Sequence, residues 1–543
     1  MKSVFVTRTT ESLFKYFQYI LLALILAVVL YVRIRLINVP LERDEGEYAY
    51  MGQLLLNGIP SFSHAYTMKL PGVSVMYALF MFLFGQTIAG IHTGLLIVNG
   101  ICSYLVFLLS NRLLDRNAAW VSCATYAVLS LSNSVNGVFA HATHFVVLFA
   151  LTGYLLLLLA IEKRRISLIL ISGICFGLAV TMKQHAALML IFAGLYLLWS
   201  AWRSRTVNGR FALREVAVFL FGTIIPYAVI VLWMLAAGTF TNFWFWTVQY
   251  AREYTAISSL RLGWYNFSGT FGNIAKLQLP LWLLAGTGCL LLAVRKRERA
   301  DRFLVFGFII FSFFAICPGL YFRGHYFVMF LPAVAIMAGA GISSTGLILS
   351  ASISARLTSL ITAFLFMAAI TYSFYREKEN FFTFTPQEVS RATYGSCPFP
   401  EAIQIAEYIK KHTARDDRIA VLGSEPEIFF YADRLSATGH IYMYGLTEKQ
   451  PFAERMQRQM ISEIEASRPK YLVYVNERSS WMVHKSSVQS VFSWADSYVE
   501  KYYQQVGVAE IYSSKASRYL WDKQVAGYSP VSQQYLIVFK RKG

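Results

Sequence analysis

Four acidic residues, Glu42, Asp44, Glu45 and Glu47, fall within six positions of the run Leu41-Glu-Arg-Asp-Glu-Gly-Glu-Tyr-Ala-Tyr. Adjacent carboxylates repel one another, so a chain that keeps Asp44 beside Glu45 has a use for the pair. Three uses are open: a general base, ligands for a metal, or partners for nearby cations. Arg33, Arg35 and Arg43 are close enough in sequence to compensate the charge. For Glu42 and Glu47 helix capping is the simpler reading, because acids are favoured in a helix's first turn. Residues 45–56 read as that helix, with Asp44 at its N-cap and Leu54, Leu55 and Leu56 free to face apolar surroundings. Downstream, Tyr66-Thr-Met-Lys-Leu-Pro-Gly places Lys69 before a Pro71-Gly72 turn. A lysine near a carboxylate cluster suits an anionic ligand such as a phosphate; the alternative is snorkelling to lipid headgroups.

Further chemistry-bearing residues lie later in the chain. In Asn136-Gly-Val-Phe-Ala-His-Ala-Thr-His, His141 and His144 stand three apart, on one face if the segment is helical. Substrate contact and interfacial packing are the leading readings for the pair, ahead of metal binding. Lys183 closes an apolar stretch, where an unpaired charge is costly and a partner is expected. Arg323 opens the run Arg323-Gly-His-Tyr-Phe, which also carries His325 and Tyr326.

The elements that must position these residues follow from composition. The chain has 543 residues, 56% of them hydrophobic and only 15% charged, with mean hydropathy +0.48. That leaves too little polar surface for a wholly soluble protein. The net charge of +19 is not spread evenly: residues 1–374 hold 27 Lys/Arg against 11 Asp/Glu, and residues 375–543 hold 22 against 19. Basic excess confined to the apolar part points to positive loops beside membrane spans, not to a nucleic-acid groove. Six cysteines without paired spacing argue against a disulfide scaffold or zinc ribbon.

About eleven stretches are apolar enough to cross a bilayer: 17–38, 88–110, 118–138, 143–161, 166–183, 186–202, 215–237, 278–294, 303–320, 326–346 and 357–374. The shorter 73–84 reads as an interfacial helix. With the N-terminus inside, 18 of the 27 basic residues fall on the inner side, among them Arg112, Arg116, Arg205, Arg295, Lys296, Arg297, Arg299 and Arg356. Eleven crossings leave the C-terminus outside, with outer loops at about 39–87 and 238–277. The second loop is rich in aromatics, which mark an interfacial belt or a groove for a lipid or acceptor.

Residues 375–543 read as a soluble α/β domain. Strands are expected at 418–422, 471–475 and 535–539, and helices at 400–412 and 448–467. The turn Gly423-Ser-Glu-Pro-Glu ends a strand, and capping is the simpler use of Glu425 and Glu427. No Gly-x-Gly-x-x-Gly or Walker pattern is present, which disfavours nucleotide binding.

The Asp-Glu pair in a first outer loop, the Gly58-Ile-Pro turn, the Lys69-x-Pro element, Gly177-Leu-Ala-Val-Thr-Met-Lys and Arg323-Gly-His-Tyr…Pro together resemble the C-type (GT-C) membrane glycosyltransferases. The nearest branch is that of bacterial relatives of protein O-mannosyltransferases and lipid A aminoarabinose transferases. The resemblance covers about 30–375. It implies a GT-C-like polytopic all-α membrane domain over 1–374, followed by an extracytoplasmic domain over 375–543. It also implies an inverting transfer from a polyprenyl-phosphate-linked sugar to an acceptor hydroxyl on a glycan, lipid or protein. Asp44, with Glu45 beside it, would be the catalytic acid pair, Asp44 serving as base. Lys69, Lys183, Arg323, His325 and Tyr326 would meet the donor phosphate, and Arg43, Tyr66, His141 and His144 the substrate. The donor lipid would be undecaprenyl phosphate in a bacterium, and the location a plasma (inner) membrane.

The chain also departs from the pattern. Met68 stands where some relatives have a glutamate, and His141 and His144 stand near where some carry an acid. This weakens the case for a divalent metal, so no cofactor is assigned. The competing reading is a transporter or flippase of lipid-linked sugars, which performs no chemistry.

Overall fold

The computed structural model describes residues 2–203, 209–255, 259–294, 301–513 and 516–543. Of the basic residues assigned to inner loops, Arg205, Arg295, Lys296, Arg297 and Arg299 lie outside these. Among the described residues, seven helices are long and apolar enough to cross a membrane. They are Gln18–Arg35 (part of Lys2–Arg35), Ile88–Leu113, Ala142–Lys163, Gln184–Arg203, Leu213–Ala236, Leu331–Leu349 and Ala355–Arg376. Leu260–Leu277 and Leu279–Val294 form a further apolar pair, bent by 101° at Gln278. Gly72–Phe84, Ile166–Met182 and Arg302–Phe314 are shorter apolar helices. The protein is thus a multi-span, mostly helical membrane protein with a small C-terminal sheet.

One expected span and one expected loop take a different form. The 118–138 stretch is a helix only over Arg116–Leu129; Ser130 to His141 is irregular, with one short 3-10 turn at Asn133–Val135. Arg33 fixes this segment, its guanidinium donating to the carbonyls of Gly137 at 3.1 Å and Ser130 at 3.0 Å. The 238–277 loop is largely helical, through Phe240–Trp244, Phe245–Tyr250, Ala251–Thr255 and Leu260–Leu277.

Small residues let the spans approach closely. Gly173 and Gly177, four apart, face Phe219 and Thr223 of the Gly209–Ala236 helix, where a Cβ would collide with backbone oxygens. A buried polar joint fastens the bend of the helix pair. Glu377 accepts from Gln278 Nε2 and from the Asn133 amide, both at 2.6 Å.

The C-terminal sheet has five strands: β1 (Ile419–Leu422), β2 (Tyr471–Asn476), β3 (Tyr503–Ile511), β4 (Ser517–Trp521) and β5 (Tyr535–Arg541). Their order is β1-β2-β5-β3-β4. Only β1–β2 is parallel. β1 is buried at all four positions, which explains its unbroken apolar run. β1, β2 and β5 match the sequence reading. β3 and β4 escaped it because their faces mix polar and apolar residues without clean alternation.

The sheet region and the membrane helices share a continuous apolar core. The joint lies at the Arg43–Leu56 helix, which packs on the tail helix Glu427–Ala432. A Cβ at Gly46 would sit 2.6 Å from the Glu427 amide nitrogen, so only glycine allows this approach. The Tyr50 ring packs tilted against Phe429 with centroids 5.2 Å apart, and its hydroxyl accepts from the Ser436 amide at 2.8 Å.

Candidate functional site

The acidic knot divides its labour. Glu42, not Asp44, is the N-cap of the Arg43–Leu56 helix. Its carboxylate accepts from the Glu45 amide at 2.9 Å, and the Glu45 carboxylate accepts from the Glu42 amide at 3.2 Å. This reciprocal cap turns Glu45 inward. One of its oxygens accepts from the Ala140 amide at 2.5 Å and lies 3.0 Å from His92 Nε2. Glu45, expected beside Asp44 as a catalytic acid, is fully buried and serves to hold the 130–141 segment.

Asp44 faces the other way. So does Glu47, which is three residues on and therefore on the same helix face. Lys69 bridges the two carboxylates, with Nζ 2.7 Å from Asp44 Oδ1 and 2.5 Å from Glu47 Oε2. The ammonium also stands 4.5 Å from the centre of the Tyr48 ring. Burial by itself would raise the Asp44 carboxyl, but the Lys69 charge above all, with His141 and Arg323, outweighs it and holds the group below the usual carboxylate range. Burial works against the Lys69 charge too; Asp44 and Glu47 overcome it and keep the lysine protonated.

These residues line a cavity of about 710 Å³. Of the expected site, Asp44, Tyr66, Lys69, Lys183, Arg323, His325 and Tyr326 all open onto it. Lys183 sits where its helix Ile166–Met182 ends, with Nζ 4.1 Å from the Tyr326 ring centre. Arg323 lies 5.7 Å from the Tyr321 ring centre. Among the described residues, no ion pair engages either cation. The aromatic loop supplies a wall through Trp246, Tyr250 and Tyr254, while Trp264 and Tyr265 are exposed on its outside. That loop thus lines the cavity on one side and presents exposed aromatic rings on the other.

His141 stands one layer back, its ring stacked on His325 at 4.0 Å. His141, His325 and Asp44 each offer a ligand atom, all within 4.8 Å of one another. His141 Nε2 is 3.2 Å from the Tyr394 hydroxyl; its buried Nδ1 has no hydrogen-bond partner among the described residues, the Glu42 carboxylate lying 3.6 Å away. The trio fits a transition-metal cation such as zinc, which prefers imidazole and carboxylate ligands. The expected pairing of His141 with His144 does not occur, because His141 precedes the Ala142–Lys163 helix instead of lying in it.

Two expected substrate contacts lie elsewhere. Arg43 is committed to the tail, donating to Glu425 at 2.9 Å, the Ser424 carbonyl at 2.6 Å and the Tyr444 hydroxyl at 2.7 Å. His144 is buried among helices, with Nδ1 3.2 Å from Asn99 Oδ1. The sequence reading also missed residues. Glu47 was read as a cap, although its spacing from Asp44 marks it as a face-mate. Tyr442, Tyr444 and Gly445 bring the tail into the cavity wall, and no local motif announces them.

Comparisons with known proteins agree with this architecture. The sequence profile of the dolichyl-phosphate-mannose-protein mannosyltransferase family matches residues 64–233. The chain has no significant match among curated protein sequences. In structure it is similar to ArnT from Cupriavidus metallidurans bound to undecaprenyl phosphate, with TM-score 0.57 and 14% identity over 95% of this chain and 97% of that one. It is also similar to the archaeal oligosaccharyltransferase AglB from Archaeoglobus fulgidus in complex with an inhibitory peptide and a dolichol-phosphate. There the TM-score is 0.52 and the identity 13%, over 95% of this chain and 75% of that one. The resemblance read from the sequence holds: this chain has the GT-C fold of the C-type membrane glycosyltransferases.

Proposed function

We propose that this chain is an inverting glycosyltransferase that moves a sugar from a polyprenyl-phosphate-linked donor to an acceptor hydroxyl. The observation that carries the reading is one cavity holding the Asp44 carboxylate together with the cations Lys69, Lys183 and Arg323. A neutral hydroxyl attacks poorly, and a positioned base typically contributes about 10²–10⁴-fold. In this reading Asp44 takes the acceptor proton as the oxygen attacks the anomeric carbon. The bond from that carbon to the phosphate oxygen breaks on the opposite face, so the configuration inverts. The bond electrons leave on the phosphate, where preplaced cations in a water-poor site are most effective. Lys183 and Arg323, which form no ion pair among the described residues, are suited to that charge.

The Lys/Arg distribution supports a cytoplasmic N-terminus, an extracytoplasmic cavity and tail, and location in a plasma (inner) membrane. If the cell is bacterial, the lipid is undecaprenyl phosphate. The divisions 1–374 and 375–543 remain part of the proposal as catalytic and covering domains.

The test is a transfer assay in nanodiscs with a panel of polyprenyl-phosphate sugars and an extract of membrane acceptors. Release of free polyprenyl phosphate should depend on added acceptor and fall at least about 100-fold in Asp44→Asn. Undiminished release in that variant removes Asp44 as the base. Saturable binding of a lipid-linked sugar with no release by the unaltered protein favours transport.

A further inference from the structure

Glu47 has no role in the chemistry described above, yet its placement binds it to that chemistry. It lies one helical turn past Asp44, its side chain is 2% exposed, and it lines the same cavity. Its contact with Lys69, at 2.5 Å, is shorter than the 2.7 Å contact of Asp44. The loop that carries Lys69 brings no acid of its own next to it, since the neighbours are Met68 and Leu70. Among the described residues, the rings of Tyr48 and Tyr442 also stand near the ammonium, at 4.5 and 5.6 Å. Glu47 and Asp44 are therefore the anions that fix Lys69 in the cavity.

We propose that Glu47 is the positioning residue for Lys69, holding the ammonium in place through the step in which Asp44 loses its charge. The inference rests on Asp44 being the base. One positive charge lies between two negative ones before transfer. When Asp44 takes the acceptor proton it becomes a neutral acid, and its hold on the ammonium weakens by roughly the difference between a charged and a neutral hydrogen bond. Glu47 then remains as the charged partner, so Lys69 stays near the departing phosphate instead of reorienting. Before transfer, Glu47 shares the ammonium, which leaves Asp44 a lone pair for the acceptor hydroxyl. Spacing and charge both matter in this role: Glu47→Gln keeps the shape and loses the charge, while Glu47→Asp keeps the charge at a shorter reach.

The experiment compares kcat and donor KM for the unaltered protein, Glu47→Gln, Glu47→Asp and Asp44→Asn, with a melting curve for each. Loss of one charged hydrogen bond in the transition state lowers kcat of Glu47→Gln about 10-fold to 100-fold, with donor KM changed less than about threefold. Glu47→Asp recovers most of that loss. Unchanged kcat in Glu47→Gln overturns the proposal. So does a rise in KM with kcat unaltered, or equal losses in Glu47→Gln and Glu47→Asp that track a lowered melting temperature, since those mark a binding or folding role. Transfer surviving in Asp44→Asn breaks the reading of the base itself, whereas an inactive Asp44→Asn beside an unaffected Glu47→Gln overturns only the role of Glu47.

Discussion

Arg43 and Glu425 lie 382 positions apart in the chain, and their side chains meet at 2.9 Å with both groups out of water. Arg43 immediately precedes Asp44, so the backbone that carries the proposed base is tied to the C-terminal region. Ser480 completes the joint, its hydroxyl donating to the second Glu425 oxygen at 2.7 Å. Removing one member of a buried ion pair leaves the other charge uncompensated, at a cost of about 3–5 kcal/mol. Arg43→Ala should therefore lower the melting temperature in detergent markedly. It should also reduce transfer in protein that remains folded, because Asp44 loses its anchor. A melting curve that overlays the parent's would mean the pair holds nothing together.

Lys183 and Arg323 are expected to recognise the phosphate directly, because neither is neutralised by a carboxylate among the described residues. Free polyprenyl phosphate is the product and a suitable probe. Lys183→Met and Arg323→Met should each weaken its binding about 10-fold or more, the usual size of a charged hydrogen bond. A control at Arg112, whose partner Glu162 lies on an exposed surface, should bind as the parent does. Calorimetric titration of detergent-solubilised protein reads both. Parent-like affinity in Lys183→Met would take that lysine out of the phosphate site.

How much of this was legible in the sequence differs from residue to residue. Most of the spans, and the presence of Asp44 and Lys69 in one cavity, could be read because membrane insertion and charge placement are local properties of the chain. The sorting of Glu42, Asp44, Glu45 and Glu47 was only half legible. Helical spacing puts Asp44 and Glu47 on one face, but which face meets the cavity depends on His92 and Ala140, which lie far along the chain. Arg43 could not be separated from a substrate contact, because its partner Glu425 sits in a turn that reads as a plain cap. The meeting of His141 with His325 was hidden for the same reason: stacking between residues 184 positions apart is fixed by packing, not by spacing. The irregular 130–141 segment looked like a span because its composition is apolar, and its backbone is instead met in part by Arg33, Glu45 and Glu377.

Zinc offers a test of the Asp44, His141 and His325 trio that does not depend on identifying a donor. Direct titration of the purified protein with zinc alone should show one site, lost in His325→Ala. Transfer should survive EDTA, because Lys69 and Arg323 already bring two positive charges to the cavity. Added zinc should inhibit, since it occupies the Asp44 oxygen needed for the acceptor proton, and His325→Ala should relieve the inhibition. Loss of transfer on chelation, restored by a divalent metal, would show that the cations of the chain do not suffice.

Glu448 gives the pH dependence of stability a definite sign. Burial pushes its carboxyl up to about 7, against the opposing effect of the Tyr250 hydroxyl, which donates to it at 3.1 Å, and of Arg323. In the unfolded chain a glutamate titrates near 4.3. Between these two values the folded protein holds a proton that the unfolded chain has released, so stability falls as the pH rises through that window. It is flat with respect to this group below about pH 4 and above about pH 8. The shift corresponds to roughly 4 kcal/mol at most, reduced by the remaining solvent access. Melting temperatures of the parent and of Glu448→Gln, measured from pH 5 to pH 8, should diverge. The glutamine variant lacks this component of the decline and becomes the more stable of the two toward pH 8. Parallel curves would place the Glu448 carboxyl near its ordinary value and remove it as the source of the decline.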